Sequence, residues 1–206
     1  MASPLFWNRS ARGLTIRAGR EVVFLDEAKK ETLVLEKGLL QVYTGDGKGK
    51  TTAALGLALR MAGQGGCVAF IQFMKGWDFY GEIEGLKRIP GIRHERTGTP
   101  DYVYRGQESP VDRAEALRGL GLAHECLAGA YDLVVLDELN VALDYGLLDL
   151  EAVLQVLRSR APHVEVVVTG RGAPEELVAM ADLVTEMKEV RHPYTRGIAS
   201  RRGVDY

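Results

Sequence analysis

The chain has 206 residues and a mass of 22.6 kDa, enough for one domain that buries about 70% of its unfolded surface. Hydrophobic residues make up 46% and charged residues 26%, an ordinary globular composition, and no apolar run reaches the ~18 residues that a membrane-crossing helix needs. A net charge of −2 and a pI near 6.1 give no overall pull toward nucleic acid, and Cys67 and Cys126, outside any C-x-x-C spacing, exclude a disulfide framework or a zinc site.

Both cysteines read as buried reduced thiols. Arg9, Arg12 and Arg17 come early without an apolar signal core, so the expected compartment is the cytoplasm. Residues 1–38 read as an extension before the main domain. MASPLFWNRSARG has no regular pattern, although Phe6 and Trp7 could dock on a partner. Residues 21–25 (EVVFL) and 32–35 (TLVL) are β-prone runs separated by polar DEAKKE, which fits a small hairpin or edge strands. The segment carries no evident chemistry and is expected to serve structure, a lid or a subunit contact.

Residues 39–52, LLQVYTGDGKGKTT, are the strongest signal: an apolar strand, a glycine-rich turn, then a helix start. That is a phosphate-binding layout, with backbone N–H groups and a positive helix end aimed at anionic oxygens. Gly49-Lys50-Thr51 fits the end of G-x-x-x-x-G-K-[ST], while the first glycine position falls on Thr44. Gly45 and Gly47 supply the flexible backbone around Asp46, and Lys48 adds a second cation. Lys50 is expected to neutralise phosphate charge, Thr51 to reach a divalent cation, and Thr52 to complete the helix start.

The helix runs to about Ala62 with Ala, Leu and Met inward, and Gly63, Gly65 and Gly66 end it. Residues 67–73 (CVAFIQF) form a strand apolar enough to be buried on both faces. The loop after it, 74–84, places Gln72, Lys75 and Glu82 at a strand's carboxyl end, where ligands of open α/β sheets gather. A solvated surface charge is the alternative for Lys75. Residues 86–108 read as irregular, broken by Pro90, Gly91, Gly98, Pro100 and Gly106. Tyr102 and Tyr104 within them either close the loop on the core or line a pocket for a second substrate.

Ser109-Pro110 starts a helix to about Leu127, with Asp112 near its positive end and His124 on its surface. Residues 132–138 (DLVVLDE) end in paired carboxylates suited to hold Mg²⁺ opposite a phosphate loop. Asp137 would bind the metal directly or through water; Glu138 would share it or orient a reacting group. Asp149 caps a helix over 150–160, residues 164–169 (VEVVVT) form another strand, and Arg171 between two glycines suits an anion or a plain turn. A short helix over 174–181 and a strand over 183–190 precede a basic stretch holding Arg191, Arg196, Arg201 and Arg202, either substrate-binding or solvated. Apolar strands alternating with helices predict an α/β domain, P-loop NTPase-like and RecA-like: three layers, a mostly parallel sheet, helices on both faces.

TGDGKGKTTAALG at 44–56, FIQFMKG at 70–76, VVLDEL at 134–139, VVVTGRG at 166–172 and VRHPYTRGIASRRGVDY at 190–206 together resemble the ATP:corrinoid adenosyltransferases of the CobO/BtuR type. The resemblance covers about residues 38–206. It implies attack of corrinoid Co(I) on the 5′ carbon of ATP, a new Co–C bond, and release of triphosphate, with the nucleotide reversed in its loop. It further implies Mg²⁺ or Mn²⁺ on Thr51 with Asp137 or Glu138, a flavoprotein reductant, and a homodimer. The family keeps the lower cobalt face free with two aromatics spaced one residue apart, commonly Phe and Trp; Tyr102 and Tyr104 have that spacing. Two rival readings are a RecA-like ATP hydrolase or motor and a non-catalytic ATP-binding regulator.

Overall fold

The computed structural model describes the backbone of three strands near the start, β1 (Asn8–Ser10), β2 (Gly13–Ala18) and β3 (Glu21–Leu25), and all of residues 35–206. The chain divides into two compact units, Met1–Leu33 and Val34–Tyr206. In the first, β1, β2 and β3 form an antiparallel sheet in that order. Within the opening stretch expected to lack a regular pattern, the described residues Asn8–Ser10 and Gly13 are strand. The EVVFL run pairs with Gly13–Ala18, Ala18 opposite Glu21, and most of the TLVL run lies outside the described residues. So do Phe6 and Trp7.

The second unit is built on a six-stranded sheet. Its strands are β4 (Leu40–Thr44), β5 (Val68–Gln72), β6 (Ile92–Arg96), β7 (Leu133–Asp137), β8 (Glu165–Thr169) and β9 (Leu183–Glu186). Their order is β6-β5-β7-β8-β4-β9 and every neighbouring pair is parallel. The helices are α1 (Lys50–Gly63), α2 (Gly81–Leu86), α3 (Pro110–Leu127), α4 (Leu139–Asp144), α5 (Leu150–Arg158) and α6 (Glu175–Met180). This is the P-loop NTPase-like α/β architecture that the alternation of strands and helices predicts.

Strand side chains alternate between two cores. Val68, Phe70, Leu133, Val135 and Val167 pack with Ala54 and Ala58 of α1 and Leu86 of α2. Ala69, Ile71, Val134, Leu136, Val166 and Val168 pack with α3, α5 and α6 on the other face. β5, β7 and β8 are buried along their whole length, so both faces of each contribute, at about 1.5–3 kcal/mol per large apolar side chain. Local signals agree with these elements. Ser109 and Asp112 form a reciprocal capping box at α3, and Asp149 accepts the Ala152 N–H at the start of α5.

Several expectations change. Residues 86–108 are not wholly irregular: IRHER forms the edge strand β6, half-buried throughout, where long charged side chains suit a partly solvated rim. The loop after β5 gives way to α2 at Gly81. On α1, Ala54 and Ala58 are inward but Leu59 is 56% exposed. β9 stops at Glu186 and is exposed along its length, because it forms the other edge. Cys126 is buried, but Cys67 is exposed, since it precedes the first residue of β5 at the amino edge of the sheet.

Candidate active site

β4, β5, β7 and β8 end, at one edge of the sheet, in Thr44, Gln72, Asp137 and Thr169. Parallel register sets Gln72 beside Asp137 and Tyr43 beside Thr169. Carboxyl ends of a parallel sheet therefore gather four polar side chains drawn from distant parts of the chain.

Above Thr44 the chain turns through residues 45–49 into α1. Gly45 has φ 91° and Gly49 φ 121°, values that side-chain-bearing residues seldom adopt. Space is the second constraint: a Cβ on Gly45 or Gly47 would lie 2.6 Å from the Met187 carbonyl oxygen. The Gly47 N–H donates to that oxygen at 2.6 Å, and the Met187 N–H donates to the Thr44 carbonyl at 2.8 Å. The loop thus rests directly on the backbone that follows β9. Lys50 is buried, and its ammonium donates to the carbonyls of Gly45 (2.6 Å) and Gly47 (2.8 Å). Burial lowers its pKa, against the pull of Glu138, Asp46 and Asp137, while Arg171 lowers it further. Lys48 is exposed and pairs with Asp205, also donating to the Val204 carbonyl at 3.2 Å. Thr44 Oγ1 accepts the Ala173 N–H at 3.3 Å, tying the turn that carries Arg171 to the loop.

Across β8 lies the acidic pair. Asp137 is fully buried; its Oδ2 accepts from Gln72 Nε2 at 2.9 Å and its Oδ1 from Thr169 Oγ1 at 2.7 Å. Glu138 holds a left-handed conformation (φ 61°, ψ 17°), uncommon for a residue with a side chain, and its N–H donates to Thr169 Oγ1 at 3.1 Å. Burial, then the adjacent Asp137 charge, pushes the Glu138 carboxyl up to about 7, despite Lys75, Lys50 and Arg171. For Lys75, burial pulls the pKa down, but Asp137, Tyr80, Glu138 and Glu82 together outweigh it and the net shift is upward. Its ammonium lies 3.8 Å from Glu82 and 4.2 Å from the Tyr80 ring centre. Asn140, buried at the start of α4, donates to the Gly170 carbonyl at 3.1 Å and so steadies the Arg171 turn.

These groups open on a cleft of about 590 Å³. One wall is the phosphate loop with Lys75, Glu138 and Arg171; another is the segment 192–206, through Tyr194, Ile198, Val204 and Asp205. Tyr206 closes the cleft's rim and meets Phe79 edge-on at 5.4 Å. From Phe79 an aromatic ridge continues through Trp77 (5.4 Å, stacked), Tyr102 (5.1 Å from Trp77) and Tyr104 (6.0 Å from Tyr102).

Gly47, Lys48, Gly49, Lys50, Thr51, Thr52, Lys75, Glu138 and Arg171 line the cleft. Gln72 and Asp137 lie buried at the sheet edge. Thr44, Gly45 and Asp46 shape the loop without lining the cleft. Tyr102 and Tyr104 are 71% and 62% exposed on the ridge, outside that lining. Sequence reasoning did not single out Thr169, Asn140, His94, Trp77, Phe79 or Asp205. A hydroxyl ending an apolar strand was a usable signal for Thr169; the others enter through tertiary contacts.

A glycine loop capping a parallel strand, a lysine at the helix start and an acidic pair at the end of β7, with β8 between, define a P-loop nucleotide-binding domain. Within that class, the chain belongs to the ATP:corrinoid adenosyltransferase family BtuR/CobO/CobP, whose model matches residues 36–206. It is 38% identical over 172 residues to a corrinoid adenosyltransferase of Pseudomonas aeruginosa, covering 83% of this chain and 85% of the relative. It is 37% identical to the corrinoid adenosyltransferase CobA of Salmonella typhimurium, covering 83% and 87%. Among solved structures, the RadB recombinase aligns with a TM-score of 0.47 at 20% identity, over 77% of this chain and 78% of that one.

Proposed function

We propose that the chain transfers the 5′-deoxyadenosyl group of ATP to Co(I) of a reduced corrinoid. The cobalt lone pair forms the Co–C bond as the bond from C5′ to oxygen breaks, and the electron pair leaves with triphosphate. Positive charge gathered on that leaving group lowers the barrier directly. Lys50, Lys48, Arg171 and the loop N–H groups are the candidates to supply it. The observation that favours transfer over hydrolysis is the junction of the cleft with the aromatic ridge at Tyr206 and Phe79. A hydrolase needs only a positioned water beside the phosphate loop; a transferase needs a broad apolar surface for its second substrate.

The residues present suit a hard divalent cation such as Mg²⁺ or Mn²⁺. Donors are all oxygen: Thr51, Asp137 and Glu138. Among the described residues no cluster of three or more His, Cys, Asp or Glu exists, so phosphate oxygens and water would complete the shell, as Mg²⁺ prefers. Each Asp137 oxygen accepts one hydrogen bond and keeps a lone pair free. Bound there, the cation would neutralise charge on the triphosphate. Glu138, raised by burial and by Asp137, sits where added positive charge is most favourable.

Trp77, Phe79, Tyr102 and Tyr104 are read as the surface that receives the corrinoid, with Tyr102 and Tyr104 nearest the cobalt's lower face. Tyr104→Ala should then slow adenosylation of a four-coordinate corrinoid; unchanged turnover would remove that role. On the resemblance alone, the reading includes a reduced flavoprotein as the source of Co(I), a homodimer and a cytoplasmic location. Among the described residues no helix is long and apolar enough to cross a membrane. The direct test is anaerobic incubation with ATP, Mg²⁺ and chemically reduced cobalamin. A light-sensitive alkylcobalt spectrum with stoichiometric triphosphate is the expected outcome. ADP and phosphate without a change at cobalt would mean hydrolysis instead.

A further inference from the structure

We infer that His94 is a positioning residue for Asp137, acting through the buried amide of Gln72. The inference rests on the reading of Asp137 as a group that faces the triphosphate and its cation. Gln72 is fully buried at the end of β5, with Oε1 2.8 Å from His94 Nε2 and Nε2 donating to Asp137 Oδ2 at 2.9 Å. A carboxamide has one donor end and one acceptor end, while a carboxylate only accepts. The nitrogen must therefore face Asp137, which leaves the oxygen facing His94. That oxygen needs a proton, so His94 must carry one on Nε2.

The opposite side of Asp137 is built on the same logic. Thr169 spends its single hydroxyl proton on Asp137 Oδ1 and accepts the Glu138 N–H in return. From His94 through Gln72, and from Glu138 through Thr169, every donor points toward one carboxylate. The imidazole is held in place by Phe70, its partner across β5 and β6, with ring centres 6.2 Å apart. Burial first, and Arg96 second, lower its pKa and favour the neutral ring, which has one N–H to place. Gln72 Nε2 also donates to Glu82 Oε1 at 3.5 Å, a longer bond to a second carboxylate that favours the same amide orientation.

Without the His94 proton, the Gln72 oxygen would be buried with no partner. The amide would then gain freedom to turn over and set that oxygen against the carboxylate. Supporting groups of this kind typically change metal affinity or activity by about 10- to 100-fold when removed.

The test has a structural and a kinetic arm, both on the full chain. Ring ¹⁵N shifts of His94, measured without metal or nucleotide, should report the Nε2–H tautomer; the Nδ1–H tautomer would overturn the inference. His94→Leu should lower kcat or raise the Mg²⁺ concentration for half-maximal rate by about tenfold or more, leaving corrinoid KM unchanged. His94→Gln, which keeps a donor near the same place, should recover most of the loss. Equal loss in both variants would assign His94 to packing and overturn the inference, as would a wild-type His94→Leu. Asp137→Asn separates the two layers. If it is inactive while His94→Leu is normal, only the inference falls; if it is fully active, the reading of Asp137 falls first.

Discussion

Two lysines in one loop hold different partners. Lys50 is buried and turns inward to the carbonyls of Gly45 and Gly47, which places its charge on the concave side before any anion arrives. Lys48 is exposed and turns outward to Asp205. Lys50→Met should therefore lower single-turnover adenosyl transfer by about 100-fold or more, the scale of losing one aimed donor to developing negative charge. Lys48→Met should cost clearly less, because solvent screens it. The placement of Lys50, Thr51 and Glu138 on the cleft and of Asp137 at the sheet edge was readable because each follows from short spacing along the chain. Thr169 carried a local signal, a hydroxyl ending an apolar strand, that went unused. His94 comes in through cross-strand register and Asn140 through the start of α4, which no local pattern encodes. Cys67 misled for a related reason: one residue decides whether a position falls inside a buried strand or on its exposed edge.

At the scale of the element, the phosphate loop and α1 make opposite demands on glycine. Gly47 lies against backbone, with the Lys188 carbonyl carbon 2.8 Å from where a Cβ would stand. Gly56, inside α1 and exposed, has nothing within 4 Å. Gly47→Ala should destabilise by about 1–3 kcal/mol and weaken ATP binding. Gly56→Ala should stabilise by about 0.5–1 kcal/mol and leave ATP binding intact. Thermal melts with an ATP titration would check both. The buried strands β5, β7 and β8 were legible from uninterrupted apolar runs. β6 was hidden because Arg93, His94, Glu95 and Arg96 fill it, and an edge strand need not be apolar. α4 was hidden because six residues give too little periodicity, and its start depends on the unusual backbone of Glu138.

For the whole molecule, the segment 192–206 touches both the phosphate loop and the aromatic ridge. Asp205 pairs with Lys48 of the phosphate loop and accepts from the Arg201 N–H at 2.8 Å, and the next residue, Tyr206, packs on Phe79 of the ridge. The Lys48 hydrogen bond first, and the Arg201 N–H second, hold the Asp205 carboxyl well below its ordinary value of 3.8. A depressed folded pKa contributes stability that is complete above that ordinary value and is lost as pH falls through the lowered one. The Lys48–Asp205 contact should therefore hold above about pH 5 and be lost only in acid, as read from the Asp205 side-chain carboxyl shift. Asp205→Ala removes the anion that occupies Lys48, and ATP should bind about two- to fivefold more tightly, the modest scale of an exposed pair.

Because one short segment holds Lys48 by Asp205 and Phe79 by Tyr206, a ligand that displaces one contact has a route to bias the other. Whatever factor bound ATP imposes on corrinoid affinity, bound corrinoid must impose on ATP affinity. Asp205→Ala should bring that shared factor toward one in both titrations.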